Sequence, residues 1–191
     1  VKRIHLASAS PRRREILERL GLEVVPCPSH IDEMRRSGES PEAFALRAAR
    51  DKLEASGPFP AGEAALAADT IVVVDGGVLG KPRDAAEAAR MLAAIQDRWH
   101  TVFTGLAVAC DGVRLSGVEE SRVLMAPMGR ATIEWYIATG EPMDKAGAYA
   151  LQGIGGLFVE RVEGSCSNVI GLPLPLLRRF LAQMGLFLPR A

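Results

Sequence analysis

The chain of 191 residues is poor in cysteine and in aromatic side chains, and neither sign of charge prevails. Its three cysteines, Cys27, Cys110 and Cys166, are odd in number and far apart, with no CxxC and no histidine at zinc-site spacing. A disulfide framework and an ordinary zinc site are therefore excluded, which leaves three thiols in a reducing compartment. Lysine plus arginine and aspartate plus glutamate both number 23, so no overall field exists to hold nucleic acid or an anionic membrane. With two tryptophans and two tyrosines, a nucleic-acid-binding module is further disfavoured. No stretch approaches the roughly 20 apolar residues that span a bilayer, and the first residues lack a signal-peptide apolar segment. The expectation is a cytoplasmic protein with no membrane and no stable nucleic-acid partner. Any anion site has to be a local gathering of cations.

What is present is ordinary globular material, 48% apolar and 24% charged, long enough to bury a sizeable core in one domain or two closely joined lobes. Ile4–Ala7 reads as a short strand, and Ile16, Leu17 and Leu20 space a helix over Arg12–Leu20 that Gly21 closes. Glu23–Cys27 is a second strand, and Ser40-Pro41-Glu42 opens a helix ending near Ser56. Ala64–Val74 is the best central-strand candidate, turned back by Asp75-Gly76-Gly77. Asp84–Ile95 is an alanine-rich helix, and Thr101–Ala109 and Val113–Met125 flank the hairpin signal Asp111-Gly112. Helices over Ala131–Ala138 and Leu174–Met184 and a strand over Leu157–Val162 complete the pattern. Alternating helices and strands with tight hairpins imply a mixed sheet flanked by helices, not a purely parallel doubly wound one.

The first chemical signal is Leu6-Ala-Ser-Ala-Ser-Pro-Arg-Arg-Arg14. Ser10 suits an N-cap and Pro11 the first helical position, and a helix start offers backbone donors and partial positive charge to an anion. Arginines in that first turn oppose the helix dipole, at about 0.3–1 kcal/mol each when exposed. A bound polyanion reverses that sign, because arginine forks and helix amides then share one ligand. Arg14 has a plainer use in an i,i+4 pair with Glu18, and Arg12 is within reach of Glu15. Arg12 and Arg13 are the better anion candidates.

The second signal is Asp69, set inside the apolar run Ala-Leu-Ala-Ala-Asp-Thr-Ile-Val-Val-Val. A carboxylate there is costly to desolvate unless it is paired or metal-bound. Gly80-Lys81-Pro82 holds a lysine in a constrained turn, and Asp32-Glu33 follows a short strand. Acids that hold a metal and activate water, beside cations that neutralise phosphate oxygens, are what hydrolysis of a metal–triphosphate requires. Each alone has an ordinary alternative: a structural acid, a surface lysine, a solvated loop. Lys52, beside Arg47, Arg50 and Asp51, looks like part of a polar helix face. Leu151-Gln152-Gly153-Ile154-Gly155-Gly156 is a turn that admits close backbone approach, with Gln152 offering an amide to a base edge. A plain loop fits it too, and Ser165, Ser167 and Asn168 read as polar turn residues with the same ambiguity.

Taken in order, Leu6–Arg13, Ala68-Asp-Thr70, Gly80-Lys-Pro82, Glu141-Pro-Met-Asp-Lys-Ala-Gly-Ala-Tyr149, Gln152-Gly153 and Gly171-Leu-Pro173 make the chain resemble the Maf-type nucleoside triphosphate pyrophosphatases. The resemblance runs nearly end to end. It implies a single domain over residues 1–191, an elongated mixed sheet in two lobes around a cleft as in inosine triphosphatases, and a homodimer. It implies a house-cleaning hydrolase that needs a divalent metal, Mg²⁺ or Mn²⁺, and cleaves between the α- and β-phosphates, with a link to cell-division arrest. Asp69 would be the catalytic acid/base residue and a metal ligand, with Glu33 helping to hold the cation. Ser10, Arg12, Arg13, Lys52 and Lys81 would line the phosphate path. Arg12, Thr70 and Gln152 together look like the dTTP/UTP-type subgroup, with modified pyrimidine nucleotides as further substrates. A glutamine can donate to and accept from a uracil or thymine edge. The alternatives are a 7-methyl-GTP-type enzyme and a non-catalytic nucleotide sensor of cell division.

Overall fold

A computed structural model describes residues 1–29, 31 and 34–186 of the chain. The elements run β1 (Arg3–Leu6), α1 (Pro11–Arg19), β2 (Glu23–Pro26), α2 (Pro41–Ala55), β3 (Ala64–Val74), β4 (Gly77–Leu79) and α3 (Ala85–Ile95). They continue with β5 (Trp99–Cys110), β6 (Val113–Met125), α4 (Arg130–Ala138), β7 (Val159–Glu163), α5 (Cys166–Ile170) and α6 (Leu174–Gln183). The seven strands form one sheet in the order β2-β1-β3-β5-β6-β7, with β4 paired to β3. β1 is parallel to β2 and β3, whereas β4 runs antiparallel to β3 and β7 to β6. The mixed α/β class expected from the hairpin signals is the one observed.

Those hairpins form because aspartate and glycine tolerate the left-handed conformation. Asp75 and Gly76 sit at φ 50° and 74°, and Asp111 and Gly112 at 45° and 80°. Two successive positive φ angles make a type I′ turn, whose twist matches that of the strands it joins.

The chain divides into two compact units. The first comprises residues 1–69, 104–119 and 171–191, of which those named above are described. On one face of its sheet, Ile4, Leu6, Ala64, Leu66, Ala68, Leu106 and Val108 pack with Leu17, Leu172, Leu177 and Leu181. On the other, Ala7, Ala65, Ala67 and Ala107 meet Ala49 and Leu53 of α2. Alternation along β3 thus sends even-numbered residues to one layer and odd-numbered ones to the other. That second layer is thin. Gly105 of β5 lies so close to α2 that a Cβ there would overlap the Ala45 carbonyl.

The second unit comprises residues 70–103 and 120–170. Its core gathers Val72, Leu92, Ile95, Val102, Val123, Met125, Ile133, Tyr136 and Tyr149. Asp84 caps α3 by accepting from Glu87 N at 2.7 Å. Two local expectations shift here. Residues Ile154–Phe158 form a 3-10 turn, so the strand expected from Leu157 begins at Val159. Cys166–Ile170 is a short helix where a turn was expected. Asn168 drives the second change: it is fully buried, and its amide donates to Val102 O at 3.1 Å and Ser121 Oγ at 3.0 Å. Its polarity serves packing, which a sequence reading cannot tell from a ligand contact.

Candidate active site

In the first unit, parallel strands bring the chemistry to one edge. β1 pairs β3 with Ile4 opposite Ala64 and Leu6 opposite Leu66, and Ala7 N still donates to Leu66 O at 2.8 Å. The chain then leaves β1 through Ser8–Ser10 into α1, while the neighbouring strand β3 continues past Asp69 to Val74. Carboxyl ends of parallel strands followed by a helix start are where such sheets take their ligands.

Asp69 is odd-numbered on β3, so it shares the α2 layer with Ala65 and Ala67. The helix period puts Ala45, Ala48, Ala49 and Lys52 on the buried face of α2. Lys52 Nζ donates to Asp69 Oδ1 at 2.6 Å, with Lys52 8% and Asp69 6% exposed. This corrects the view of Lys52 as part of a polar face. Its neighbours do make that face: Arg47 binds Glu39 through Nε at 2.7 Å and Asp51 through Nη1 at 3.0 Å. That grip holds the Glu39 carboxyl at about 2, chiefly through the Arg47 hydrogen bonds. A buried lysine–carboxylate pair costs desolvation and adds little net stability, so its presence calls for a use beyond folding.

The turn before α1 is organised around Ser8. Its Oγ accepts from Ser10 N at 3.2 Å and from Arg13 Nη1 at 2.9 Å. Arg13 is buried, and its Nε donates to Gly171 O at 2.8 Å, tying the turn to the segment before α6. Ser10 occupies the N-cap position, but its hydroxyl makes no capping bond, contrary to the role expected for it. Arg12 is half-buried. Arg14 pairs with Glu18 at 2.6 Å as expected, whereas Glu15 is taken by Arg19 at 2.6 Å.

The second unit holds Thr70, Lys81 and Gln152. Thr70 is half-buried on β3. Lys81 is exposed in the connection between β4 and α3, where it lines a pocket of about 440 Å³ with Arg83, Glu87, Arg90 and Met91. Gly147 N donates to Gly80 O at 3.1 Å, so the Gly-Lys-Pro turn and the Glu141–Tyr149 segment are physically joined. Gly147 has φ 70° and packs on Val72, which only a glycine permits. Gln152 is exposed at the tip of the following turn.

Glu33, the expected second metal ligand, lies outside the described residues. Among the described residues no three His, Cys, Asp or Glu side chains cluster as a closed metal site. Magnesium and manganese need no such cluster. They are held by one or two carboxylates, with waters and phosphate oxygens completing the shell. The hard oxygen donor of Asp69 fits that pattern.

Ser8 and Gly171 stand in quoted motifs without a task of their own, and they work through a hydroxyl and a backbone carbonyl. Sequence reasoning passed over Gly105, whose significance appears only when α2 lies on it. Glu141 was noticed as part of a motif but given no task. Its contacts with Tyr136, Ile154 and Gly155 depend on how the chain folds back.

Three comparisons bear on this arrangement. Residues 3–184 match the family described as Maf-like protein. A dTTP/UTP pyrophosphatase of Anaeromyxobacter sp. (strain Fw109-5) is 51% identical, the alignment covering 98% of this chain and 92% of that protein. One from Methylobacillus flagellatus is 47% identical, covering 98% and 95%. Among solved structures, the Staphylococcus aureus Ham1 protein aligns with TM-score 0.53 at 14% identity, over 96% of this chain and 100% of that one. That last likeness concerns the fold alone.

Proposed function

We infer, because this chain belongs to the Maf-like protein family, that it is a pyrophosphatase hydrolysing dTTP and UTP to the monophosphate and pyrophosphate. The observation that carries the chemistry is the buried Lys52–Asp69 pair, 2.6 Å between Nζ and Oδ1, with Asp69 on β3 three residues beyond Leu66, the partner of the last residue of β1. The substrates follow from the dTTP/UTP pyrophosphatases that it resembles.

In the reaction, water attacks the α-phosphorus, the bond from that phosphorus to the α–β bridging oxygen breaks, and pyrophosphate leaves. Asp69 Oδ1 is engaged by Lys52, and the second carboxylate oxygen is there to take the proton of the attacking water or to meet a cation. Lys52 fixes that carboxylate in direction, and its charge offsets what develops on the phosphate oxygens. Arg13, anchored by Gly171 and Ser8, is a rigid fork for the phosphate chain, with Arg12 and Ser10 next to it in the chain. Lys81 is assigned to the phosphate path by the family resemblance, as a point charge. Asp69, with Glu33, would hold a divalent metal, which when bound polarises the phosphoryl oxygens and lowers the pKa of bound water. Thr70 and Gln152 are assigned to the nucleoside, Gln152 matching the donor and acceptor edge of uracil or thymine. A homodimer and a cytoplasmic location belong to the same reading. No helix among the described residues is long and apolar enough to cross a membrane.

A nucleotide panel tests this reading: dTTP, UTP, CTP, GTP and 7-methyl-GTP, each with Mg²⁺ and Mn²⁺, with phosphate and pyrophosphate detected separately. The expected outcome is pyrophosphate release fastest from dTTP and UTP, falling at least about a thousand-fold in Asp69→Asn, as for loss of a central catalytic group. Preference for 7-methyl-GTP would overturn the subgroup assignment. Nucleotide binding without pyrophosphate release would make the chain a sensor.

A further inference from the structure

We propose that Glu141, together with Tyr136, is the positioning residue that holds Gln152 in register with the pyrimidine edge. The proposal rests on the base-reading role given to Gln152 above.

Glu141 begins a short 3-10 turn after α4, and its side chain reaches across to the Gly-rich turn that follows Gln152. Oε1 accepts from Tyr136 Oη at 2.7 Å and Gly155 N at 2.8 Å, and Oε2 accepts from Ile154 N at 2.9 Å. Tyr136, fully buried, accepts in turn from Ala150 N at 3.2 Å. The anchored residues 150, 154 and 155 therefore bracket Leu151-Gln152-Gly153 from both sides. Both of the expected loop glycines are needed for this grip. A Cβ on Gly153 would overlap the Glu141 carboxylate, and one on Gly155 would overlap the Tyr136 hydroxyl.

The chemistry of the clamp suits positioning. Burial works to raise the Glu141 pKa but is outweighed by hydrogen bonds from Gly155, Tyr136 and Ile154, so the carboxyl stays ionised. Charge-assisted bonds to backbone amides are short and directional. The anchored turn also carries exposed residues: Gln152, Gly153 and Ile154 all face solvent. Water could satisfy the Ile154 amide there, so folding has little need of the clamp at that point. A glycine-rich turn left unanchored has to be ordered when the nucleotide binds, at a cost taken from affinity. Removing the clamp should therefore raise KM for the favoured nucleotides more than it lowers kcat.

The test is a double-mutant cycle on the full chain, with kcat and KM for UTP, dTTP and GTP in wild type, Glu141→Gln, Gln152→Ala and the double variant. Glutamine keeps the shape of Glu141 but turns an NH₂ towards amide donors. Glu141→Gln is expected to cut the preference for UTP over GTP about ten-fold, mainly through KM for UTP. The double variant is expected to match Gln152→Ala, because the clamp acts through that residue. Equal losses on all three nucleotides, adding to those of Gln152→Ala, would mean a merely structural role and overturn the proposal. If Gln152→Ala keeps the preference, the base-reading role fails and takes the proposal with it. If Gln152→Ala loses the preference and Glu141→Gln keeps it, the positioning role alone falls. Should Glu141→Gln not fold, Tyr136→Phe carries the same comparison, with the same direction and a smaller change expected.

Discussion

The two compact units bury polar groups in different ways. In the first, buried groups carry charge: Lys52 meets Asp69 directly, and the Arg13 guanidinium donates to a hydroxyl and a carbonyl. In the second, the buried polar groups His100, Ser121 and Asn168 are neutral, and the half-buried Glu141 is ringed by hydrogen-bond donors. His100 meets the Tyr149 hydroxyl at 2.8 Å, Asn168 serves Val102 and Ser121, and Glu141 collects amides. Buried charge is costly and suits a place where charge must move, as in phosphoryl chemistry. Neutral networks and clamped turns suit a place that must keep its shape to recognise a base. On the proposed reading the contrast separates chemistry from recognition, and each side of it can be broken by a chosen substitution.

The largest effect is expected from Lys52→Met, which leaves Asp69 in its buried position without the ammonium. Breaking a buried pair from one side costs about 3–5 kcal/mol. Denaturant unfolding should show that loss together with near-complete loss of turnover. Replacing both partners, as in Lys52→Met with Asp69→Leu, should recover most of the stability and none of the activity. A double variant as unstable as the single one would mean that the pair matters for folding itself, and the first half of the contrast would go.

The next effect concerns the neutral side. Burial pushes the His100 pKa down to about 4, from an unfolded value of about 6.5. Between those two values the unfolded chain binds a proton that the folded one refuses. Stability from this group is therefore complete above pH 6.5 and is lost as pH falls towards 4. At about 1.4 kcal/mol per pH unit, the full loss is on the order of 3 kcal/mol. The depressed carboxyls of Glu39, Glu63, Glu87 and Glu141 act lower, their contribution fading only as pH falls below about 4.5. Unfolding free energy followed from pH 7 to 4.5 should slope down in wild type and flatten in His100→Gln. An unchanged slope in the variant would show that His100 titrates in the folded protein as it does in the unfolded chain.

The sequence made much of the fold visible, because its signals are local. Ala64–Val74 and Val113–Met125 have the observed bounds of β3 and β6, and two Asp-Gly pairs mark their hairpins. The site was legible where unusual residues stand out, as Asp69 does in an apolar run. It was illegible where the meaning lies in a partner far along the chain. Lys52 follows Arg47, Arg50 and Asp51 and shares their polarity, yet its helical phase belongs with Ala45, Ala48 and Ala49. Periodicity held the answer, and residue type obscured it. The anchoring of Arg13 was illegible because its partner, Gly171, lies 158 positions away. Glu141 stood in a recognised motif, but nothing local shows that its carboxylate folds back onto Gly155.

The smallest effect expected is also the sharpest separation of the two units. Gly105 is buried on β5, and a methyl group there would overlap the backbone carbonyl of Ala45. Backbone cannot swing aside as a side chain does, so Gly105→Ala should move α2 away from the sheet. Overpacking of this kind costs about 1–3 kcal/mol. Lys52 rides on α2 and Asp69 does not, so the 2.6 Å contact between them is what the shift would stretch. Turnover should drop on the order of ten-fold for every nucleotide, since misplacement by a fraction of an ångström already weakens a catalytic contact. On the proposed reading the preference among bases belongs to the other unit, and it should stay as it was. Steady-state kinetics on the nucleotide panel reads both quantities from one preparation. If Gly105→Ala altered base preference while sparing kcat, the small-residue layer under α2 would not set the Lys52–Asp69 geometry, and chemistry and recognition would not divide along the two units.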